Sequence, residues 1–280
     1  MIAGVGAEHM DLGRRLAEFG FESNESYEFA IACLLEEPPA LLRSLNVTGR
    51  GGRRKTAFAS ALAGALGFAH VRYHDFSQAP AKAEEADRPP QDAPLPAFDR
   101  AVVEACGYSE AEPSALILDQ LQEAPFTEHL RLERFLVSGR WPHAHGLAEA
   151  NPRHLLVMLI SEEPLYHGLH RLSFRIHTDR GEAPFRYRPS DFGLDADAEP
   201  LFLALGELFT RLGVTPTTSE LRLLLADLLK RVRSPLQLAQ AIFGRVEGVE
   251  YEALRARALQ PALQAICERL SEFLSPPSDG

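Results

Sequence analysis

A glycine-rich basic segment, NVTGRGGRRKTAFASALAGALG (46–67), contains the residues with the clearest chemical meaning in the chain. Gly49, Lys55 and Thr56 fit the phosphate-binding pattern G-x-x-x-x-G-K-[ST], whereas Arg54 replaces its last glycine. In such a loop, backbone amides and a helix N-terminus cradle phosphates, the lysine bridges them and the hydroxyl binds Mg²⁺. The predicted nucleotide-binding residues of the loop are Gly49, Gly52, Arg53, Arg54, Lys55 and Thr56.

A second candidate position is an aspartate at the end of an apolar run. The segment SALILDQL, residues 114–121, is typical of a buried parallel strand and has Asp119 at the end of its apolar stretch. Open α/β sheets bind ligands at the carboxyl ends of their strands. We therefore predict that Asp119 lies beside the loop, contacts the nucleotide and, with Thr56, holds Mg²⁺.

These residues require a sheet and helices to bring them together. Strand-like segments alternate with helical ones, which predicts a doubly wound parallel α/β sheet flanked by helices. Strands are predicted at 41–48, 70–76, 114–119, 154–161 and 174–178, and helices at 8–36, 56–66, 98–106 and 127–138. The proline-rich acidic segment 77–97 predicts a mobile surface loop, and residues 142–154 also read as a loop.

The last part of the chain has only helical patterns. Capping-box spacing at 217–220 and 234–237 predicts two helix starts, and Pro261 predicts a kink in a last helix, 251–274. We predict three domains: a helical N-terminal arm 1–40, a P-loop α/β domain 41–197 and an all-helical lid domain 198–280.

Composition limits the classes of protein to consider. The net charge of −10 over 280 residues argues against a protein that wraps nucleic acid. The three cysteines fit no disulfide or metal-binding spacing, which favours a reducing compartment. The N-terminus lacks the pattern of a signal peptide and no apolar run spans a membrane, so we expect a cytoplasmic protein without membrane contact.

The order of these motifs resembles the AAA+ ATPases, and within them the MoxR-like group. The most specific stretch is ALILDQLQEAPFTEHLRLERFLVSGRW followed by EANPRHLLVMLISEEPLYHGLHRLSFRI. The resemblance spans residues 41–178, with a weaker likeness up to residue 229. It implies a P-loop NTPase sheet in the strand order 5-1-4-3-2, a C-terminal helical lid, a site at a subunit boundary and ring-like assembly.

The resemblance also assigns catalytic positions, several of which are changed. Gln120 stands where the family has the glutamate that activates water, Glu162 stands at the polar sensor 1 position, and Arg171 stands at an arginine-finger position. An amide cannot accept the proton, and loss of a general base costs about 10²–10⁴ in rate. A carboxylate at sensor 1 would repel the terminal phosphate unless a cation paired with it. Both the Walker A and the Walker B motifs are therefore degenerate.

Structural roles remain open for each of these residues. Lys55 could be a solvated residue at a helix start, and Asp119 with Gln120 could end a strand. Glu162 could be a loop surface residue, and Arg171 could form an intramolecular salt bridge.

Our leading hypothesis is a degenerate AAA+ nucleotide-binding protein that hydrolyses ATP weakly or not at all. Its expected ligands are ATP or ADP with Mg²⁺, and it would act by assembling with protein partners as a homo- or hetero-oligomer. The alternatives are an active MoxR-like ATPase that remodels protein complexes and a nucleotide-free structural adaptor in which Arg54 fills the pocket, paired with Glu162 or Asp119. Nucleic acid is not an expected partner.

Overall fold

The computed structural model describes residues 11–35, 41–52, 54–78, 94–179 and 184–275. The chain divides into two compact units, Met1–Asp179 and Arg180–Gly280. This division falls at residue 179, whereas the sequence placed the start of the helical domain at residue 198. Arg53 and most of the predicted loop 77–97 lie outside the described residues.

A five-stranded parallel sheet forms the centre of the first unit. Its strands are β1 (Arg43–Thr48), β2 (His70–Asp75), β3 (Ser114–Asp119), β6 (Leu155–Ile160) and β7 (Phe174–His177). They lie in the order β2-β3-β6-β1-β7, with parallel pairing throughout. This is the order 5-1-4-3-2 that the AAA+ resemblance implies, so the predicted α/β P-loop fold is confirmed.

The central strands are apolar because helices cover both faces of the sheet. Alternate side chains of a strand point to opposite faces. Ala115 and Ile117 of β3 therefore join one buried cluster, and Leu116 and Leu118 join another. The helices of this unit are α1 (Leu12–Glu18), α2 (Glu28–Leu35), α3 (Arg54–Ala65), α4 (Ala97–Ser109), α5 (Phe126–Ser138) and α6 (His167–Leu172).

The N-terminal arm is two helices within its described residues, not the single run 8–36 that the periodicity predicts. Helix α1 ends before Gly20, whose φ of 88° is left-handed and favours glycine. Phe21 and Tyr27 lie in the connection and are buried against Phe58 of α3. The apolar residues between the helices therefore continue the core without continuing the helix.

A β-hairpin replaces the loop that was predicted after residue 141. Strands β4 (Arg140–His143) and β5 (Gly146–Glu149) pair antiparallel. Trp141 is fully buried, and its indole N–H donates to Asp99 Oδ1 at 2.9 Å. The hairpin is thus fixed by a tertiary contact, and Trp141 is a packing residue.

The second unit is helical, as predicted. Its helices are α7 (Glu199–Leu212), α8 (Thr218–Lys230), α9 (Pro235–Arg245), α10 (Tyr251–Arg255) and α11 (Gln260–Leu274). Thr217 and Glu220 form the predicted capping box at the start of α8, and Ser234 caps α9. The predicted kinked helix 251–274 is instead two separate helices. Pro261 lies in the first turn of α11, where a backbone N–H has no acceptor within the helix, so proline causes no kink.

Candidate functional site

The predicted phosphate-binding loop connects the end of β1 at Thr48 to the start of α3 at Arg54. Gly49 and Gly52 have φ values of 155° and 126°, which residues other than glycine rarely adopt. Gly49 also permits a close approach, since a Cβ there would lie 2.7 Å from Asp179 Oδ1. The glycines therefore give this turn the backbone shape that the sequence pattern predicts.

Among the described cations of the loop, Lys55 is the most deeply placed, with its side chain only 1% exposed. Its Nζ donates to the carbonyl oxygens of Gly49 and Arg50, both at 3.2 Å, and to Glu162 Oε2 at 2.9 Å. An ammonium group has three N–H donors. All three are accounted for by these contacts, so the charge is held inside the curve of the loop.

Glu162 follows β6 and brings its carboxylate to the same place. A Cβ on Gly51 would lie 3.1 Å from Glu162 Oε2, so the carboxylate lies directly against the loop backbone. Gln122 fixes this segment, because its Oε1 accepts from Ser161 Oγ at 3.1 Å and from the Glu162 N–H at 3.0 Å. Sequence reasoning missed Gln122, which lies in a short 3₁₀ turn at 121–123 after β3.

Thr56 and Asp119 meet as the motif predicts. The Thr56 hydroxyl donates to Asp119 Oδ2 at 2.6 Å, and Asp119 is 3% exposed. Tyr73 from β2 donates to the same oxygen at 3.0 Å. Burial, together with the hydrogen bond to Asp119 and its charge, raises the pKa of Tyr73, so this hydroxyl remains a donor at neutral pH. Tyr73 was not predicted as a site residue.

Gln120 is the one non-glycine residue with positive φ in the described part of the chain, at φ 56° and ψ 43°. Such a conformation is costly without glycine and is often found beside functional sites. Its backbone N–H donates to Asp119 Oδ1 at 2.8 Å, and its side-chain oxygen accepts from Gln122 at 2.5 Å. The amide at the Walker B position is therefore held in a network that leads to Glu162.

Arg54, the residue that replaces the motif glycine, is bonded to a different part of the molecule. Its Nε donates to the Thr178 carbonyl at 2.5 Å and its Nη2 to the Glu22 carbonyl at 3.2 Å. The guanidinium also lies 4.5 Å from the centre of the Phe21 ring. The carboxylate of Glu162 pairs with Lys55, and that of Asp119 accepts from Thr56 and Tyr73, whereas the adaptor hypothesis paired Arg54 with one of these two carboxylates.

Asp179 places a second carboxylate on the loop. Its Oδ1 accepts from the Arg50 backbone N–H at 2.6 Å, and its Oδ2 lies 3.3 Å from His177 Nε2. Sequence reasoning missed this residue as well. Its position, two residues beyond β7 at the carboxyl edge of the sheet, was the available signal.

Arg171 lies in the last turn of α6 and is exposed. Among the described residues, no hydrogen bond or ion pair joins it to Lys55 or Asp119. The structure therefore brings together Gly49, Gly52, Lys55, Thr56, Asp119, Gln120 and Glu162, while the arginine-finger role of Arg171 stays a prediction. Over the same described residues, no helix is both long and apolar enough to cross a membrane.

Comparisons with known proteins leave the family open. No protein-family model matches the chain, and no curated protein matches it. Among solved structures, NtrX from Brucella abortus matches in three crystal structures, one of them in complex with ADP and one with ATP. The identities are 12%, 12% and 13%, and the TM-scores are 0.37, 0.38 and 0.37.

The NtrX matches cover most of this chain but only part of NtrX. They include 95%, 95% and 96% of this chain, which spans 55%, 59% and 55% of the NtrX chains. At this level of similarity, the nucleotides bound in the NtrX structures describe NtrX alone and assign no ligand to this chain.

Proposed function

We propose that this chain is a nucleotide-binding AAA+ protein of the MoxR-like type whose activity is binding, with little or no hydrolysis. The observation that carries the proposal is the pairing of the Thr56 hydroxyl with Asp119 at 2.6 Å, beside a loop that holds the buried ammonium of Lys55. A hydroxyl and a carboxylate from these two motifs form the Mg²⁺ side of P-loop sites.

The residues present fit Mg²⁺ and a nucleotide. Mg²⁺ prefers oxygen ligands, which Thr56 and Asp119 provide. Gly52 leaves its part of the loop open, since a Cβ there would contact nothing within 4 Å. When bound, Mg²⁺ would supply positive charge to neutralise the phosphates. Thr56 and Asp119 would hold it, and Lys55 would bind the phosphate oxygens.

Weak hydrolysis follows from the chemistry of Gln120. Its side chain is an amide, which does not accept a proton at neutral pH, and its oxygen already accepts from Gln122. A water near this position would lack the general base that typically contributes about 10²–10⁴ in rate. Nucleotide binding would then act by changing which protein partners the chain assembles with, provided that the ligand distinguishes the two states.

Titration calorimetry with Mg·ADP and Mg·ATP tests the binding proposal. We expect measurable heat from the wild-type protein and loss of the Mg²⁺-dependent part of the affinity in Thr56→Val, which removes the hydroxyl and keeps the side-chain shape. Thr210→Val is a matched control, because Thr210 donates only within helix α7, to the Gly206 carbonyl. No heat and no thermal shift at millimolar nucleotide would refute nucleotide binding.

A nucleotide-free structural adaptor is the second candidate, and one observation favours it. The three donors of Lys55 are bonded to Gly49, Arg50 and Glu162, so groups of the chain itself satisfy the buried ammonium. Native mass measurement of the co-purified assembly, with and without nucleotide, separates the two candidates. An adaptor assembles equally in both conditions, whereas a nucleotide-controlled protein does not.

A further inference from the structure

We propose that Glu162 makes this loop selective for a nucleoside diphosphate over the corresponding triphosphate, by standing where a terminal phosphate would otherwise contact Lys55. The proposal rests on the proposed function, since it assumes that the loop binds a nucleotide. It assigns Glu162 a role that a vestigial or purely structural carboxylate would not have.

The first argument is the use of the Lys55 donors. In phosphate-binding loops the lysine reaches the β- and γ-phosphates. Here one of its three N–H groups is given to Glu162 Oε2 at 2.9 Å, and the other two go to loop carbonyls. A diphosphate can be bound by the loop amides and by one Lys55 N–H that turns from a loop carbonyl to the phosphate, while the ion pair with Glu162 persists. A triphosphate also requires the donor that Glu162 occupies.

The second argument is that the carboxylate is held in place. The backbone N–H of Glu162 donates to Gln122 Oε1 at 3.0 Å, and Gln122 Nε2 in turn donates to Gln120 Oε1 at 2.5 Å. The Glu162 side chain is 31% exposed and the Lys55 side chain 1% exposed, so the pair is partly shielded from water. Displacing Glu162 would break an ion pair whose cation is buried.

The third argument is electrostatic. Glu162 Oε2 lies 2.9 Å from Lys55 Nζ, so a γ-phosphate that contacts Lys55 would lie beside this carboxylate. The repulsion between the two negative charges disfavours the complex. Rejecting one ligand by a fixed repulsive charge is a common source of specificity. ADP and ATP differ only in the terminal phosphate, so the ratio of their affinities isolates this effect.

Titration calorimetry of Mg·ADP and Mg·ATP on the full chain tests the proposal in three proteins: wild type, Glu162→Gln and Glu163→Gln. Glu163→Gln is the matched control, because it makes the same change of charge at the next, exposed residue. In the wild type we expect the Kd for Mg·ADP to be about tenfold or more below that for Mg·ATP. In Glu162→Gln the ratio should fall to about threefold or less, through tighter ATP binding, and in Glu163→Gln it should stay at the wild-type value.

The outcomes separate this inference from the proposed function. Equal affinities in the wild type, or an unchanged ratio in Glu162→Gln, would overturn the selectivity while leaving nucleotide binding intact. Absence of binding of either nucleotide to all three proteins would overturn both. Thermal melting without nucleotide shows whether each variant is folded, and equal wild-type affinities would overturn the selectivity even if a variant failed to fold.

Discussion

Arg54 and Lys55 are adjacent cations in one turn, yet they serve different regions of the first unit. Lys55 is directed into the loop, where it meets two carbonyl oxygens and Glu162. Arg54 is bonded to the carbonyl oxygens of Thr178 and Glu22 and lies over Phe21. One cation faces the predicted phosphate-binding region, and the other joins the N-terminal arm to Thr178, the residue after β7.

This difference changes how the degenerate motif is understood. The sequence hypothesis was that the charge of Arg54 joins the ligand or occupies the place of a phosphate. Its hydrogen bonds instead give the guanidinium a structural contact with the arm, while a carboxylate, Glu162, is the group that pairs with Lys55. Loss of a motif glycine therefore need not place the new side chain in the cleft.

The largest expected effect comes from comparing Lys55→Met with Arg54→Met in titrations with Mg·ADP. Lys55→Met should weaken binding by about 10- to 100-fold, the range expected for one charge-assisted hydrogen bond. Arg54→Met should weaken it by less than about threefold, because the guanidinium bonds to Glu22 of the arm and to Thr178, the residue after β7. Equal losses in the two variants would mean that both cations face the ligand and would end the comparison.

Arg54→Met should instead lower stability. Removal of two hydrogen bonds and a cation–π contact should reduce the free energy of unfolding by about 1–2 kcal/mol in urea denaturation. Amide exchange should increase in residues 12–31. The matched control is Arg14→Met. Both side chains of the Arg14–Glu18 ion pair are exposed, so its loss should cost less than about 0.5 kcal/mol. A stable Arg54→Met protein with an unchanged exchange pattern would contradict the arm-docking role.

The fold could be predicted from sequence wherever local pattern and buried environment agree. The five strands were predicted to within two residues, and the signal was clearest in β3 and β6, which contain continuous apolar runs. The hairpin β4–β5 was missed because its strands are short and polar and depend on Trp141, which packs against Phe98 and Phe135. A local pattern contains no signal for such a contact.

The site was predictable only where its residues belong to local sequence motifs. Lys55, Thr56 and Asp119 belong to spaced motifs, and their types alone define their chemistry. The direction of Arg54 and the partner of Lys55 depend on residues 124 and 107 positions away, Thr178 and Glu162. The pairing of two side chains over such separations is set by sheet order and loop packing, which single-sequence patterns do not specify.

Gln120→Glu tests the catalytic side of the loop. A glutamate keeps the oxygen that accepts from Gln122 and adds a group able to take a proton. With the Lys55 region unchanged, phosphate release at saturating Mg·ATP should rise about tenfold over wild type, less than the full value of a general base. Gln264→Glu is a matched control, because the Gln264 side chain donates to Glu268 on the same helix, α11. Rapid hydrolysis by the wild-type protein would refute the weak-hydrolysis proposal.

The smallest expected effect concerns the second carboxylate on the loop. Asp179→Asn keeps Oδ1 as an acceptor for the Arg50 N–H but removes a negative charge from the loop. Because the side chain is 22% exposed and partly screened, we expect the affinity for Mg·ADP to rise by only about two- to threefold. Since Asp179 contacts the loop backbone and not Lys55, the ADP-to-ATP ratio should remain at its wild-type value in the same titrations. A change in that ratio as large as the one in Glu162→Gln would mean that total negative charge, and not the Lys55–Glu162 contact, sets the selectivity.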